Sequence, residues 1–148
     1  MFAFVAFAEC LPRAENRLTL DAAAKDAVGL AQLRIRLKYG DNERAALSDA
    51  GAEAEKMIAA MGGKAVFSFR DMPTPGMSIH EMGGARMGAD PAQAVLDAHN
   101  RAHQVPNLFV TDGACMASAA CQNPSLTYMA LTARATDFAV TELKAGRL

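Results

Sequence analysis

Apolar and basic residues alternate with period two along Leu33-Arg34-Ile35-Arg36-Leu37-Lys38-Tyr39. That pattern predicts a strand with one face buried and one in water, ended by Gly40. Arg17-Leu18-Thr19-Leu20-Asp21 reads as a shorter strand, and Pro12 separates it from an apolar run, Phe2 to Glu9, whose aromatic and β-branched content predicts another. Asp41 stands where a helix N-cap is wanted, with Glu43 in the first turn. Ala46, Leu47, Ala50, Ala54, Met57, Ile58 and Met61 then recur at three- and four-residue steps, which predicts a helix with one apolar stripe closed by Gly62-Gly63. Ala65-Val66-Phe67-Ser68-Phe69-Arg70 predicts a further strand. The first seventy residues thus describe a small antiparallel sheet with one helix lying on it.

Periodicity is lost at Asp71. Between Met72 and Gly88 come two prolines and four glycines, the composition of a functional or mobile loop. Asn107-Leu108-Phe109-Val110-Thr111-Asp112-Gly113 reads as an apolar strand running into a turn. A stretch of mostly small residues from Ala114 to Cys121 leads to a final helix, with Asn123 as cap, Pro124 in the first helical position, and Leu126, Met129, Ala130, Ala133 and Ala139 as its stripe. Gly146 terminates it. The fold class is α+β.

Composition removes several classes of function. The 148 residues are 51% hydrophobic and 21% charged, which excludes a disordered chain, a collagen-like repeat and a heptad rod. A net charge of −1 leaves no electrostatic footprint for nucleic acid, and the absence of Trp with 6% aromatics removes stacking platforms for single strands. The apolar opening has no basic flank and falls short of the roughly 20 residues a membrane span needs. Cys10, Cys115 and Cys121 contain no CxxC pair and read as free, mostly buried thiols and not as zinc ligands.

The three histidines separate by context. His99 and His103 are four residues apart but lack the HExxH glutamate, and they read as solvated surface residues. His80 opens the glycine-rich segment His80-Glu81-Met82-Gly83-Gly84-Ala85-Arg86-Met87-Gly88. Cys115, Ser118, Cys121 and Ser125 surround a turn before a helix, which leaves a hydrolase on Cys115 or Cys121 as an alternative, although the Gly-x-Ser-x-Gly elbow is missing. Neither GxGxxG after a strand nor GxxxxGK[ST] occurs.

Three ordered segments carry a resemblance: His80 to Gly88, Asn107 to Ala114, and Asn123-Pro124-Ser125-Leu126-Thr127. Their order and separations resemble the C-terminal signature of the glucose–methanol–choline (GMC) oxidoreductases, most of all the bacterial sugar and gluconate dehydrogenase branch. Glu9 to Leu20 resembles the strand pair of that family's substrate domain. The resemblance implies an enzyme that oxidises the CH–OH group of a sugar or alcohol with FAD. In it His80 takes the hydroxyl proton, Asn123 hydrogen-bonds the same oxygen, and hydride passes to the flavin N5. It further implies that Asp112 and Gly113 approach the cofactor, and that Asn123, Pro124 and Ser125 aim a helix N-terminus at the flavin ring. The chemistry is coherent, since an imidazole accepts a proton near neutral pH and an amide donates to a developing alkoxide without competing for it.

Two departures accompany the resemblance. Gly84 stands where the nearest branch implies threonine, and the family's N-terminal FAD-binding domain is absent. The chain therefore reads as a fragment, a truncated gene product or one half of a split protein, with residues 1–79 resembling the substrate domain and 80–148 the C-terminal signature. FAD is expected in the full-length context and not on this chain alone. Expected partners are a small sugar or alcohol and either the missing FAD domain or a second copy. No nucleic acid and no transmembrane segment are expected, and the compartment stays open between cytoplasm and periplasm. The alternative is a catalytically inactive form that serves as an oligomerising or interaction domain.

Overall fold

The computed structural model describes residues 3–148. In chain order these form β1 (Arg17–Lys25), β2 (Ala31–Arg36), α1 (Asp41–Ala60), a single 3-10 turn (Gly113–Cys115) and α2 (Ser125–Lys144). The architecture is α+β, with one antiparallel sheet and two long helices. Two compact units are present, one up to Ser78 and one from Ile79 to Leu148.

In the first unit, β1 and β2 pair antiparallel from Arg17↔Arg36 to Asp21↔Gln32, and the ladder bulges before Lys25↔Ala31. Asp26 closes the hairpin, its carboxylate accepting the N–H groups of Val28 and Leu30, each at 2.9 Å. The second strand stops three residues short of the expected Tyr39 because its partner begins at Arg17. Beyond that point the side chain of Asn16 substitutes for a strand, accepting from the Lys38 N–H at 2.9 Å and donating to the Lys38 carbonyl at 3.1 Å.

The period-two pattern places Leu18, Leu20, Leu33 and Ile35 on one face of this ribbon, and all four stay exposed. The segments flanking α1, and not the ribbon, hold the helix. Ala46, Leu47, Ala50, Ala54 and Ile58 are half-buried, whereas Met57 and Met61 of the expected stripe are exposed. Arg70 pairs with Glu55 at 2.5 Å. Gly40 is the cap residue and Asp41 the first helical one, so Asp41 is not the N-cap. Instead Glu43, only 4% exposed, turns back to accept the Gly40 N–H at 2.6 Å, the Leu11 N–H at 3.0 Å and the Arg13 guanidinium at 2.9 Å. Past the helix end Gly62, at φ 74°, adopts the left-handed conformation that lets Gly63 donate back to Ile58 at 2.9 Å.

Two expected strands of this unit are absent. Phe2 lies outside the described residues, and residues 3–9 form no strand. Neither do residues 65–70, where Val66, Phe67 and Phe69 are exposed. Alternation makes a segment competent to be a strand, but the ladder needs a neighbour, and neither run has one among the described residues.

The second unit is built from short irregular segments stacked beside α2. Single bridges join Met87 to Leu96, Leu96 to Ala102, and Arg101 to Phe109, so the expected strand over 107–113 is one bridge within a small meander. Its own Leu96 and Ala102, with Cys115, form the buried cluster, packed against Ala85, Met87, Val110, Met116 and Leu131. The final helix begins one residue later than expected. Pro124 is the cap residue, no side chain caps the helix, and Asn123 therefore does not serve as the N-cap. Its packed face also differs: Tyr128, Leu131, Ala135 and Phe138 are covered, and of the expected stripe only Ala139 joins them, while Leu126, Met129, Ala130 and Ala133 are exposed. α2 is apolar on both sides, and periodicity alone does not say which side meets the meander. Gly146, at φ 67°, ends the element as expected.

Glu43 gives a prediction with a defined sign. The backbone donors Gly40 and Leu11, helped by Arg13, hold its carboxyl below the ordinary glutamate range against the opposing effect of burial. A carboxyl lowered in the folded state stabilises fully above its unfolded pKa and loses that stabilisation as pH falls through the folded value. Glu43→Gln should lower stability by about 1–3 kcal/mol at neutral pH, the order of magnitude for leaving buried donors poorly matched. The gap to the parent should shrink on acidification below about pH 4, in the range where a glutamate titrates. Urea unfolding midpoints of the two proteins at neutral and acid pH measure it.

Candidate active site

The glycine-rich segment lies along the 112–116 segment. The Ala85 N–H donates to the Ala114 carbonyl at 3.0 Å, and the Met87 N–H to the Cys115 carbonyl at 2.9 Å. Gly113 makes this approach possible. A Cβ there would stand 2.6 Å from the Glu81 carbonyl oxygen and 2.8 Å from the Tyr128 hydroxyl, closer than carbon tolerates. Asp112 caps the 3-10 turn, accepting the Ala114 N–H at 3.0 Å. Tyr128 adds the helix, because its N–H donates to the Pro124 carbonyl at 3.0 Å while its hydroxyl meets the Met82 sulfur at 3.8 Å.

Three pieces far apart in sequence therefore meet: residues 81–82, Asp112-Gly113, and the first turn of α2. His80 is attached directly to the first of these and Asn123 to the third. Their side chains are not bonded to each other, and among the described residues neither is spent on an internal hydrogen bond. His80 is half-buried and holds φ 64°, a left-handed conformation rare for a residue with a side chain. Asn123 and Ser125 are exposed, and Pro124 is buried.

The other two histidines are committed elsewhere. His103 bonds the Gly88 carbonyl through Nε2 at 3.0 Å, and His99 stacks on Phe138 with ring centroids 4.0 Å apart. His99 is exposed, as expected, with one face of its ring against Phe138, whereas His103 is half-buried and bonded, which corrects the surface reading for that residue. Among the described residues no three His, Cys, Asp or Glu side chains are grouped to hold a metal ion.

Of the thiols only Cys115 is buried, and Cys10 and Cys121 are exposed, which corrects the expectation of mostly buried cysteines. Burial pushes the Cys115 thiol above its ordinary value, and a hydrogen bond from Asn100 only partly offsets that. Activated nucleophiles are shifted the opposite way. Cys115 is thus unsuited to be the nucleophile of a hydrolase.

Sequence reasoning missed Tyr128, Asn100 and Arg134. Asn100 is fully buried at φ 64°, donates from Nδ2 to the Val110 carbonyl at 3.0 Å, and accepts from the Arg134 guanidinium at 3.0 Å. It anchors the chain two residues before Asp112. The available signal was polarity out of place at Tyr128, a tyrosine one turn into an apolar helix; Asn100 and Arg134 gave none, because the segment that buries Asn100 has no readable period.

The start of α2 fits an electron-rich ring edge. No side chain occupies its cap, and its first turn holds no acidic residue that would compete for the N–H groups. The Asp112 carboxylate, by contrast, is already engaged by the turn it caps.

Comparison with known proteins identifies the family. The sequence profile of the family described as GMC oxidoreductase matches residues 12–132. The chain is 35% identical over 138 residues to the fructose dehydrogenase large subunit of Gluconobacter japonicus, covering 93% of this chain and 25% of that one. It is 34% identical over 132 residues to 2-methyl-1,2-propanediol dehydrogenase of Mycolicibacterium austroafricanum, covering 89% and 24%. To C-glycoside 3-oxidase of Arthrobacter globiformis it is 30% identical over 135 residues, covering 90% and 26%. The chain spans about a quarter of the length of these relatives. A match over most of the chain, with the three motif segments brought together as described, gives the conclusion that this chain belongs to the GMC oxidoreductases and carries their C-terminal domain.

Proposed function

We propose that the chain is the C-terminal part of an FAD-dependent oxidoreductase that oxidises a CH–OH group of a sugar or alcohol, with residues up to 79 serving the substrate side and residues 80–148 the cofactor side. One observation carries the reading. The loop that begins at His80 is laid against Asp112-Gly113 and the start of α2, while the His80 ring is left without an internal partner. In this scheme His80 takes the proton from the substrate hydroxyl. Asn123 donates its amide N–H to the same oxygen and stabilises the charge that develops there. The backbone N–H groups of Ser125 and the residues after it, set in place by Pro124 and Asn123 at the helix start and with Asp112-Gly113 beside them, form the protein's side of the cofactor contact. When bound, FAD supplies the hydride acceptor. The relatives' names cover dehydrogenases and oxidases acting on sugars and alcohols, which supports that substrate class.

In the FAD-loaded enzyme carrying this segment, His80→Ala should lower kcat/KM by about 10²–10⁴-fold, the span of general acid–base catalysis. Flavin content, read from absorbance, should be unchanged. Because Asn123 does not cap α2, Asn123→Ala should slow turnover without a loss of thermal stability. Asn123→Asp should fold normally and turn over poorly, since it replaces the amide donor with a negative charge. Full activity in His80→Ala would remove the base from the scheme.

A second prediction concerns the cofactor. The 148-residue chain alone should bind FAD weakly or not at all, because it lacks a glycine-rich strand–turn–helix unit for the pyrophosphate. Titration followed by flavin absorbance tests it, and a tight stoichiometric complex would contradict it.

A second reading, a form that has lost its chemistry and serves as an interaction domain, is favoured by the open apolar face of the β1–β2 ribbon. It predicts association of the chain with itself at high concentration. Light scattering on a sizing column distinguishes this from a clean monomer.

A further inference from the structure

Tyr128 touches all three parts of the candidate site. Its backbone N–H makes the first helical hydrogen bond of α2, to Pro124 at 3.0 Å. Its hydroxyl lies 3.8 Å from the sulfur of Met82. The hydroxyl and the Glu81 carbonyl converge on the bare face of Gly113, within 2.8 Å and 2.6 Å of the point a Cβ would occupy. Burial pushes the phenol pKa up, and the carboxylates of Asp112 and Glu81 push the same way, so the hydroxyl stays protonated across the neutral range.

Glu81 is the residue after His80, and His80 holds a left-handed backbone at φ 64°. A residue in so sparsely populated a conformation keeps it only where its neighbours are fixed. At the next peptide the Glu81 carbonyl lies over the bare face of Gly113, and the Tyr128 hydroxyl meets the Met82 side chain beside it.

We propose that Tyr128 is a positioning residue for His80: its ring and hydroxyl form, with Gly113, the seat of the Glu81–Met82 backbone and thereby set where the imidazole stands relative to the start of α2. The proposal deepens the functional reading above and rests on His80 being the base. Tyr128 does not touch the reacting atoms. It acts through His80, and that distinguishes it from a residue that only fills the core.

The test is a double-mutant cycle in the FAD-loaded enzyme, joined to amide exchange in the 148-residue chain. With His80 present, Tyr128→Phe should lower kcat/KM by about 3–10-fold, and Tyr128→Leu, which also removes the ring, by about 10–100-fold, on the scale of small misplacements of a catalytic group. In the His80→Ala background the same changes should cost less than about 2-fold, because a residue acting through another loses its effect when that other is gone. In the isolated chain, Tyr128→Phe should speed amide exchange at Ala85, whose N–H bonds Ala114, and leave Val110, bonded to Asn100, unchanged.

Equal losses in both backgrounds would overturn the proposal, as would full activity of both variants with His80 intact. Should Tyr128→Leu fail to fold or to hold flavin, Tyr128→Phe and the exchange measurement decide alone. If His80→Ala itself keeps full activity, the base assignment is what fails, and the positioning of His80 as a catalytic group falls with it. Unchanged exchange at Ala85 removes the positioning whatever the activity of His80→Ala.

Discussion

A buried side-chain amide needs partners on both its ends, and Asn100 finds them in different parts of the chain. Its backbone and side chain together bracket Val110, and its oxygen receives Arg134 from α2. Removing a polar group of this kind from water without such partners costs several kcal/mol, so the arrangement is close to obligatory once Asn100 is inside. Everything that defines the site follows from it. With Val110 fixed, Asp112-Gly113 has one place to turn. With Arg134 fixed, α2 lies at one distance from that turn. The loop from His80 then has a single surface to lie on.

The sequence disclosed much of this and hid the rest for physical reasons. Leu33 to Arg36 and the hairpin partner at Arg17 were readable because a half-exposed strand alternates, and the two helices because their stripes recur at helical spacing. The meander of the second unit was not readable. Its bridges involve one residue at a time, too short a run for any period to emerge. The runs at 3–9 and 65–70 misled in the opposite way, since they have a strand's composition without a neighbour to complete it. At the site, the motif segments pointed to His80, Asp112, Gly113 and Asn123 by resemblance. The resemblance said nothing of Tyr128, whose importance lies in what its hydroxyl meets across 46 residues.

Helix caps illustrate how a correct local idea lands on a neighbouring residue. Asp41 and Asn123 are both good cap types, yet the cap positions belong to Gly40 and Pro124. At α1 Glu43 reaches back to the Gly40 N–H and so fixes the cap residue one position before Asp41. At α2 nothing replaces the cap. Neither cap residue makes a side-chain cap bond, and only the start of α2 lies beside the motif segments.

The chain has no tryptophan and two tyrosines, Tyr39 and Tyr128, one in each compact unit. Tyr128 is half-buried beside a thioether and two acidic residues, and Tyr39, also half-buried, stands at the entrance to α1, where its carbonyl receives Arg44. The ultraviolet emission of this chain therefore comes from two phenols, one in each unit. Substituting Tyr39 alone turns the remaining signal into a native optical gauge of the second unit, one that reports loosening around Gly113 without a dye, a label or a cofactor.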